Sequence, residues 1–278
     1  MSEQHNIRRI LVALDASTYS LVALQAAVAL AAKQEAELVG LFVEDINLLH
    51  LSELPFSHEI RRLSATASQL SGQRMKVAMR IQAARARRAL ENAAARAEIA
   101  STFRIVRGHV SLELVAASLE ADLLILGRVS QPLTRRVKIG STARAVALQA
   151  PRSVLLTRPS PGDEQAAMVT FAGSDLSWRA LATALPLIQP DQTLIILLTN
   201  GSQAEREQWQ AETALWLRQK GVTAEYRYLE QATPHLLALA AQKTGCSLLI
   251  LNSELINSSE EILYTLLETV DCSLLFVR

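Results

Sequence analysis

Gly127, Ser130, Gly140 and Ser141 are spaced so that two residues separate the first pair and nine lie between Ser130 and Gly140, with Arg128, Arg135, Arg136 and Lys138 inside or beside the loop. An apolar run, residues 123–126, ends at Gly127, and a helical pattern follows Ser141. A loop feeding a helix N-terminus presents unpaired backbone N–H groups and the positive end of the helix dipole, which together favour an anion such as phosphate. The basic side chains point the same way. On these residues alone, a strand-end turn beside a solvated basic surface competes well with an anion cradle. The remainder of the chain has to decide between them.

Other chemistries find little support. Cys246 and Cys272 are the only cysteines and belong to no CxxC or Cys/His pattern, so both read as reduced core residues. His5, His50, His58, His109 and His235 are scattered, and no metal cluster is expected. His109 stands at a predicted helix start, where capping or exposure is the simpler account. There is no GxGxxG, no GxxxxGK[ST], no GxSxG elbow and no SGGxDS loop. No nucleophile–base pair stands out, so the expected catalytic set is empty and a fast enzyme is not expected.

Half of the 278 residues are hydrophobic and only 4% aromatic, which predicts an aliphatic core of the kind found in parallel sheets covered by helices. No run of about 18 uninterrupted apolar residues occurs, and residues 1–9 are polar and charged, so the chain reads as soluble and cytoplasmic with no membrane partner. The net charge of +1 argues against general affinity for nucleic acid, but it hides an asymmetry. Residues 1–158 hold 21 Lys and Arg against 13 Asp and Glu, a balance of +8; residues 159–278 hold 7 against 14, a balance of −7. The two parts should attract, and an anionic ligand should prefer the first.

The elements that would position the cradle follow a regular order. Residues 7–14 read as a strand, Asp15, Ala16 and Ser17 as a polar elbow, and 21–32 as a helix. A second strand covers 37–43. Residues 46–72 read as an irregular loop with room for a short helix, and 73–99 as a long helix rich in Ala and Arg. Its arginines lack interleaved aromatic residues and read as a solvated face rather than an RNA site. Strands at 101–106, 121–126 and 153–157 alternate with helices at 112–119 and 142–148, which implies parallel pairing with right-handed crossovers.

A Pro- and Gly-containing linker at 158–164 precedes a second passage of the same order. Strands are expected at 168–172, 193–198 and 223–229, with a helix at 203–220, and residues 237–251 align without gaps on 112–126. Asp175, Leu176 and Ser177 echo Asp15, Ala16 and Ser17, so the chain reads as a tandem repeat. The copies differ at the cradle. Leu126 to Ser153 spans 27 positions and Leu251 to Ser273 only 22, so five residues are missing. Residues 252–261 contain no glycine and no basic residue, and Glu254, Glu260 and Glu261 oppose an anion there.

The VALDAS segment at the first strand end, the DLLILG run and the near-complete Gly-x2-Gly-x9-Gly-Ser pattern together resemble the universal stress protein family. The resemblance covers both halves in element order and the site motif in the first only. It implies an α/β fold of two tandem, doubly wound, five-stranded parallel-sheet domains, Rossmann-like, at 1–158 and 163–278. In the family's nucleotide-binding branch, ATP lies at the carboxyl ends of the strands, where such sheets place ligands. By position, the resemblance implies that Ala13, Leu14 and Asp15 line an adenosine pocket, Val43 meets adenine through its backbone, and Gly127 lies by the ribose. Ser130, Gly140, Ser141 and Thr142 would hold phosphates. Arg128, Arg135, Arg136 and Lys138 are added on charge. Ser130 replaces the motif's second glycine, at about 1 kcal/mol if positive φ is needed there; a charge-assisted phosphate hydrogen bond, roughly 1.5 to 3 kcal/mol, outweighs it.

The resulting expectation is a regulatory protein of stress adaptation that binds ATP, or AMP or ADP, with or without Mg²⁺, in its first domain. The second would be a degenerate partner in an internal pseudo-dimer, paired through the strands at 153–157 and 273–277, with further homodimerisation left open. Two alternatives stay open: a nucleotide-free scaffold, and a slow ATP hydrolase using Asp15 or a metal-bound water.

Overall fold

A computed structural model of the chain describes residues 7–53, 58–60, 67–69, 72–128, 140–159, 166–189, 191–257 and 260–278. The first half comprises β1 (Arg9–Ala13), α1 (Thr18–Gln34), β2 (Glu37–Asp45), α2 (Ile46–Glu53), β3 (His58–Ile60), β4 (Ala67–Gln69), α3 (Gly72–Arg96), β5 (Ser101–Gly108), α4 (Val110–Ser118), β6 (Leu123–Gly127), α5 (Ser141–Gln149) and β7 (Ser153–Thr157). The second comprises β8 (Ala166–Phe171), α6 (Asp175–Ala184), β9 (Thr193–Thr199), α7 (Gln203–Gln219), β10 (Ala224–Leu229), α8 (Pro234–Lys243), β11 (Cys246–Asn252), α9 (Ser253–Asn257), α10 (Glu260–Thr269) and β12 (Ser273–Val277).

The expected strands form, and the two sets of five, expected as two domains, meet through the closing strands at 153–157 and 273–277 that the sequence reading paired. One continuous ten-stranded sheet runs β10-β9-β8-β11-β12-β7-β6-β1-β2-β5. Pairing is parallel within each set of five and antiparallel only between β7 and β12, with Leu156 opposite Leu274 and Val154 opposite Phe276. The joint is fastened pseudo-symmetrically: Arg158 N–H donates to Ser273 Oγ at 3.1 Å and Arg278 N–H to Ser153 Oγ at 3.3 Å. Pairing the closing strands satisfies backbone groups that would otherwise be sheet edges. It also lets the aliphatic core run uninterrupted across the joint. One apolar layer contains Ile10, Val12, Ile125, Val169 and Leu275, and the opposite layer Leu11, Leu124, Leu156, Met168 and Leu274. The period-2 alternation along each strand decides which layer a side chain enters.

Helix ends follow local chemistry. α1, α3 and α7 each stop at a left-handed residue, Glu35 (φ 52°), Glu98 (φ 53°) and Gly221 (φ 70°). The following N–H then reaches back into the last turn: Ala36 to Ala31, Ile99 to Ala94 and Val222 to Leu217. This closure ends α3 at Arg96, three residues before the sequence pattern does. Residues 46–53 form α2, the short helix for which the 46–72 stretch had room, opened by Asp45 Oδ1 accepting the N–H of Asn47 at 2.9 Å.

Candidate functional site

Within the first half the strand order is β7-β6-β1-β2-β5, so the winding reverses between β6 and β1. Ligands of open α/β sheets enter at the carboxyl ends beside such a reversal. β1 ends at Ala13 and β6 at Gly127, which brings Ala13, Leu14 and Asp15 alongside Gly127 across that gap. Leu14 is buried and its N–H bonds Leu41 O at 2.9 Å; Val43, half-buried near the end of β2, pairs with Val106 of β5. Asp15 is exposed and its Oδ1 accepts the N–H of Ser17 at 2.9 Å. Ser17 then caps α1 by accepting the N–H of Ser20. Between them Ala16 takes φ 60°, the sharp elbow that turns the chain from strand into helix.

Gly127 is required by packing. A Cβ there would lie 2.9 Å from the backbone carbon and Cβ of Tyr19, in the first turn of α1, so only glycine lets that turn close over the end of β6. Tyr19 is the participant the sequence reading missed, since nothing in its neighbourhood marks it.

The loop ends are pinned together. Gly140 N–H donates to Arg128 O at 3.1 Å, and Arg128 N–H to Thr157 O at 2.9 Å. Gly140 is the N-cap of α5 with ordinary extended backbone (φ −63°, ψ 142°), offers no side chain to cap the helix, and is followed by a first turn without a carboxylate. Among the described residues no side chain accepts the N–H groups of Ser141 and Thr142, which stand at the positive dipole end of α5. Ser130, Arg135, Arg136 and Lys138 lie outside the described residues. Glu44, beside Val43, takes a forked contact from Arg107 (2.7 and 2.9 Å) at the rim of β2 and β5.

Arg128 corrects the sequence expectation. Its side chain is only 6% exposed and reaches into the other half, where Nη1 donates to Cys272 O at 3.0 Å and Nη2 to Leu267 O. The last carbonyls of α10 are unpaired and carry the negative dipole end, so a buried guanidinium fits there. Burial lowers its pKa from the ordinary arginine value, yet arginine remains charged. Arg278 does the reciprocal task, donating to Ala147 O and Leu148 O near the end of α5. Only the backbone of Arg128 belongs to the candidate site.

The second half contains the same elbow with different contents. Strand register places Ile10 and Ala167 at equivalent points, beside Leu123 and Leu248. The N-caps Ser17 and Ser174 then correspond, as do the positive-φ residues Ala16 and Gly173. The counterpart of Asp15 is therefore Ala172, and Asp175 opens α6 instead; the matching letters were one helical turn out of register. Asn252 occupies the place of Gly127 and its Nδ2 donates to Ser177 Oγ at 3.0 Å. Glu254 accepts from Ser174 Oγ at 2.6 Å, so a carboxylate of the chain sits where an anion would approach α6. Trp209 covers the ends of β8 and β9: Cβ atoms on Gly173 (φ 76°) and Gly201 (φ 71°) would fall 2.3 and 2.6 Å from its ring. Phe171, Trp178 and Trp216 continue the cluster edge to face. Ala86 precedes the turn at Glu98 by the same interval as Trp209 precedes the turn at Gly221. The first half thus carries a methyl group where the second carries an indole.

A family model, the universal stress protein family, matches residues 6–158. The chain belongs to the universal stress protein family. No curated protein matches it. Among solved structures, a universal stress protein from Archaeoglobus fulgidus DSM 4304 superposes with a TM-score of 0.66 at 13% identity, covering 97% of this chain and 98% of that one. A putative universal stress protein from Pseudomonas aeruginosa UCBPP-PA14 gives 0.60 at 14% identity, over 98% and 93%. At these identities the likeness is one of fold, and it extends over both halves. Among the described residues no helix is long and apolar enough to cross a membrane, and no group of three or more His, Cys, Asp or Glu could hold a metal ion.

Proposed function

We propose that this family member is a regulatory protein that binds an adenine nucleotide, ATP or its di- or monophosphate, in the first half, residues 1–158. Residues 163–278 act as a ligand-free structural partner. The observation that carries the reading is the difference between the two reversal points. Among the described residues of the first half no side chain caps the α5 N-terminus, which is pinned through Gly140 to the end of β6. In the second half Glu254 sits against Ser174, the counterpart of Ser17, and Trp209 covers the ends of β8 and β9. Ala13, Leu14 and Val43 would border the base, Gly127 the ribose, and Ser141 and Thr142 the phosphates, with Ser130 completing the loop. Mg²⁺ would be held by the phosphates rather than by a protein cluster. Asp15, the candidate base for slow hydrolysis, is committed to the Ser17 N–H, which favours binding over catalysis.

Titration calorimetry of the full chain with ATP and Mg²⁺ tests the reading. One nucleotide per chain is expected, and no binding heat at millimolar ATP, with none released on denaturation, would overturn it.

A further inference from the structure

The two cysteines, distant in sequence, meet at the joint. Cys246 begins β11 and Cys272 immediately precedes β12; these strands are parallel neighbours whose first pair is Leu248 with Ser273. A register shift in β11 between Cys246 and Leu248 turns the first residue out of the regular pleat. Both side chains enter the same apolar layer, and Cys246 Sγ donates to Leu248 O at 3.2 Å. Both side chains are buried, at 5% and 2% exposure, yet both form part of the wall of a cleft of about 740 Å³ between the halves, together with Tyr19, Arg128, Arg158 and His235. Cys272 O accepts from the Arg128 guanidinium, so this thiol belongs to a residue that the first half itself contacts.

We propose that Cys246 and Cys272 form an oxidisable dithiol, closed to a disulfide by a peroxide that enters through the cleft, and that the cross-link ties β12, the strand that carries the joint, to β11. The thiol of Cys272 is held well above its ordinary pKa, chiefly by the neighbouring Cys246 thiol and then by burial, so Cys272 reacts second. The first to react is Cys246. Its sulfur attacks one peroxide oxygen, the O–O bond breaks, and hydroxide leaves with a proton as water, giving a sulfenic acid on Cys246. The sulfur of Cys272 then attacks that sulfur; the S–S bond forms, the S–O bond breaks, and the departing hydroxyl takes the Cys272 proton. Two thiols are oxidised and one hydrogen peroxide is reduced to two waters. Because Cys272 is a reluctant thiolate, closure should be slow at neutral pH and faster in alkali.

The wild-type chain suffices for the test, since it contains no other cysteine. After hydrogen peroxide, quenching, denaturation and alkylation, intact mass should show the loss of two hydrogens and no alkyl group, in a monomeric chain that dithiothreitol restores to two alkylatable thiols. The oxidised protein should melt at a higher temperature than the reduced protein. Two thiols that still alkylate, sulfinic or sulfonic products, or intermolecular dimers would overturn the dithiol, and an unchanged or lower melting temperature would overturn the tie between the strands.

Discussion

Gly140→Asp is expected to abolish nucleotide binding and leave the fold at least as stable. The backbone of Gly140 lies at φ −63°, so a side chain meets no conformational penalty there. An Asp at the N-cap accepts the open N–H groups of the first turn and complements the dipole, a gain of about 0.5 kcal/mol. The same carboxylate then stands against the phosphates. At an effective dielectric near 20, like charges about 4 Å apart repel by roughly 4 kcal/mol, so even partial screening predicts at least ~100-fold weaker binding. Calorimetry and a thermal melt on one preparation check both parts. Binding retained within about threefold of wild type, well under 1 kcal/mol, would place the phosphates elsewhere.

Arg128→Met should act on the joint and spare the ligand. The substitution leaves Leu267 O and Cys272 O without their cation in a buried setting, and each unsatisfied carbonyl costs about 1 to 3 kcal/mol. Removing a desolvated charge offsets part of this, so a net loss of about 2 to 3 kcal/mol is expected in denaturant unfolding. Nucleotide affinity in the still-folded protein should stay within about threefold, under 1 kcal/mol, because the side chain reaches into the other half. A variant of wild-type stability that had lost its nucleotide would restore Arg128 to the phosphates.

These two residues also mark how far the sequence could be read. Strands and helices were legible because aliphatic runs and Ala-rich periods repeat at regular spacing, and the closing strands could be matched as partners. The direction of Arg128 was not legible. It depends on the antiparallel β7–β12 pairing, which brings the end of α10 beneath the end of β6, and nothing local to a basic loop encodes that. Asp175 misled for a different reason: two matching letters, the Asp and the Ser of Asp-x-Ser, suggested equivalence, whereas the serine that caps the helix, Ser174 against Ser17, sets the true register. The difference between the two loops was visible in the carboxylates of residues 252–261. The aromatic cluster was not read from the sequence, although Trp178, Trp209 and Trp216 are the chain's only tryptophans and all lie in the second half. Tyr19 and Ala86 left no signal, since one acts through its backbone and the other by being small.

The central claim is that nucleotide occupies the first half and not the second. Photolabelling the full chain with an azido-adenine analogue of ATP, followed by peptide mapping, tests it most directly. The account predicts adducts confined to the peptides around Ala13–Asp15 and Val43, competed away by ATP. Labelling around Gly173, Gly201 and Trp209, or labelling that ATP does not displace, would contradict it.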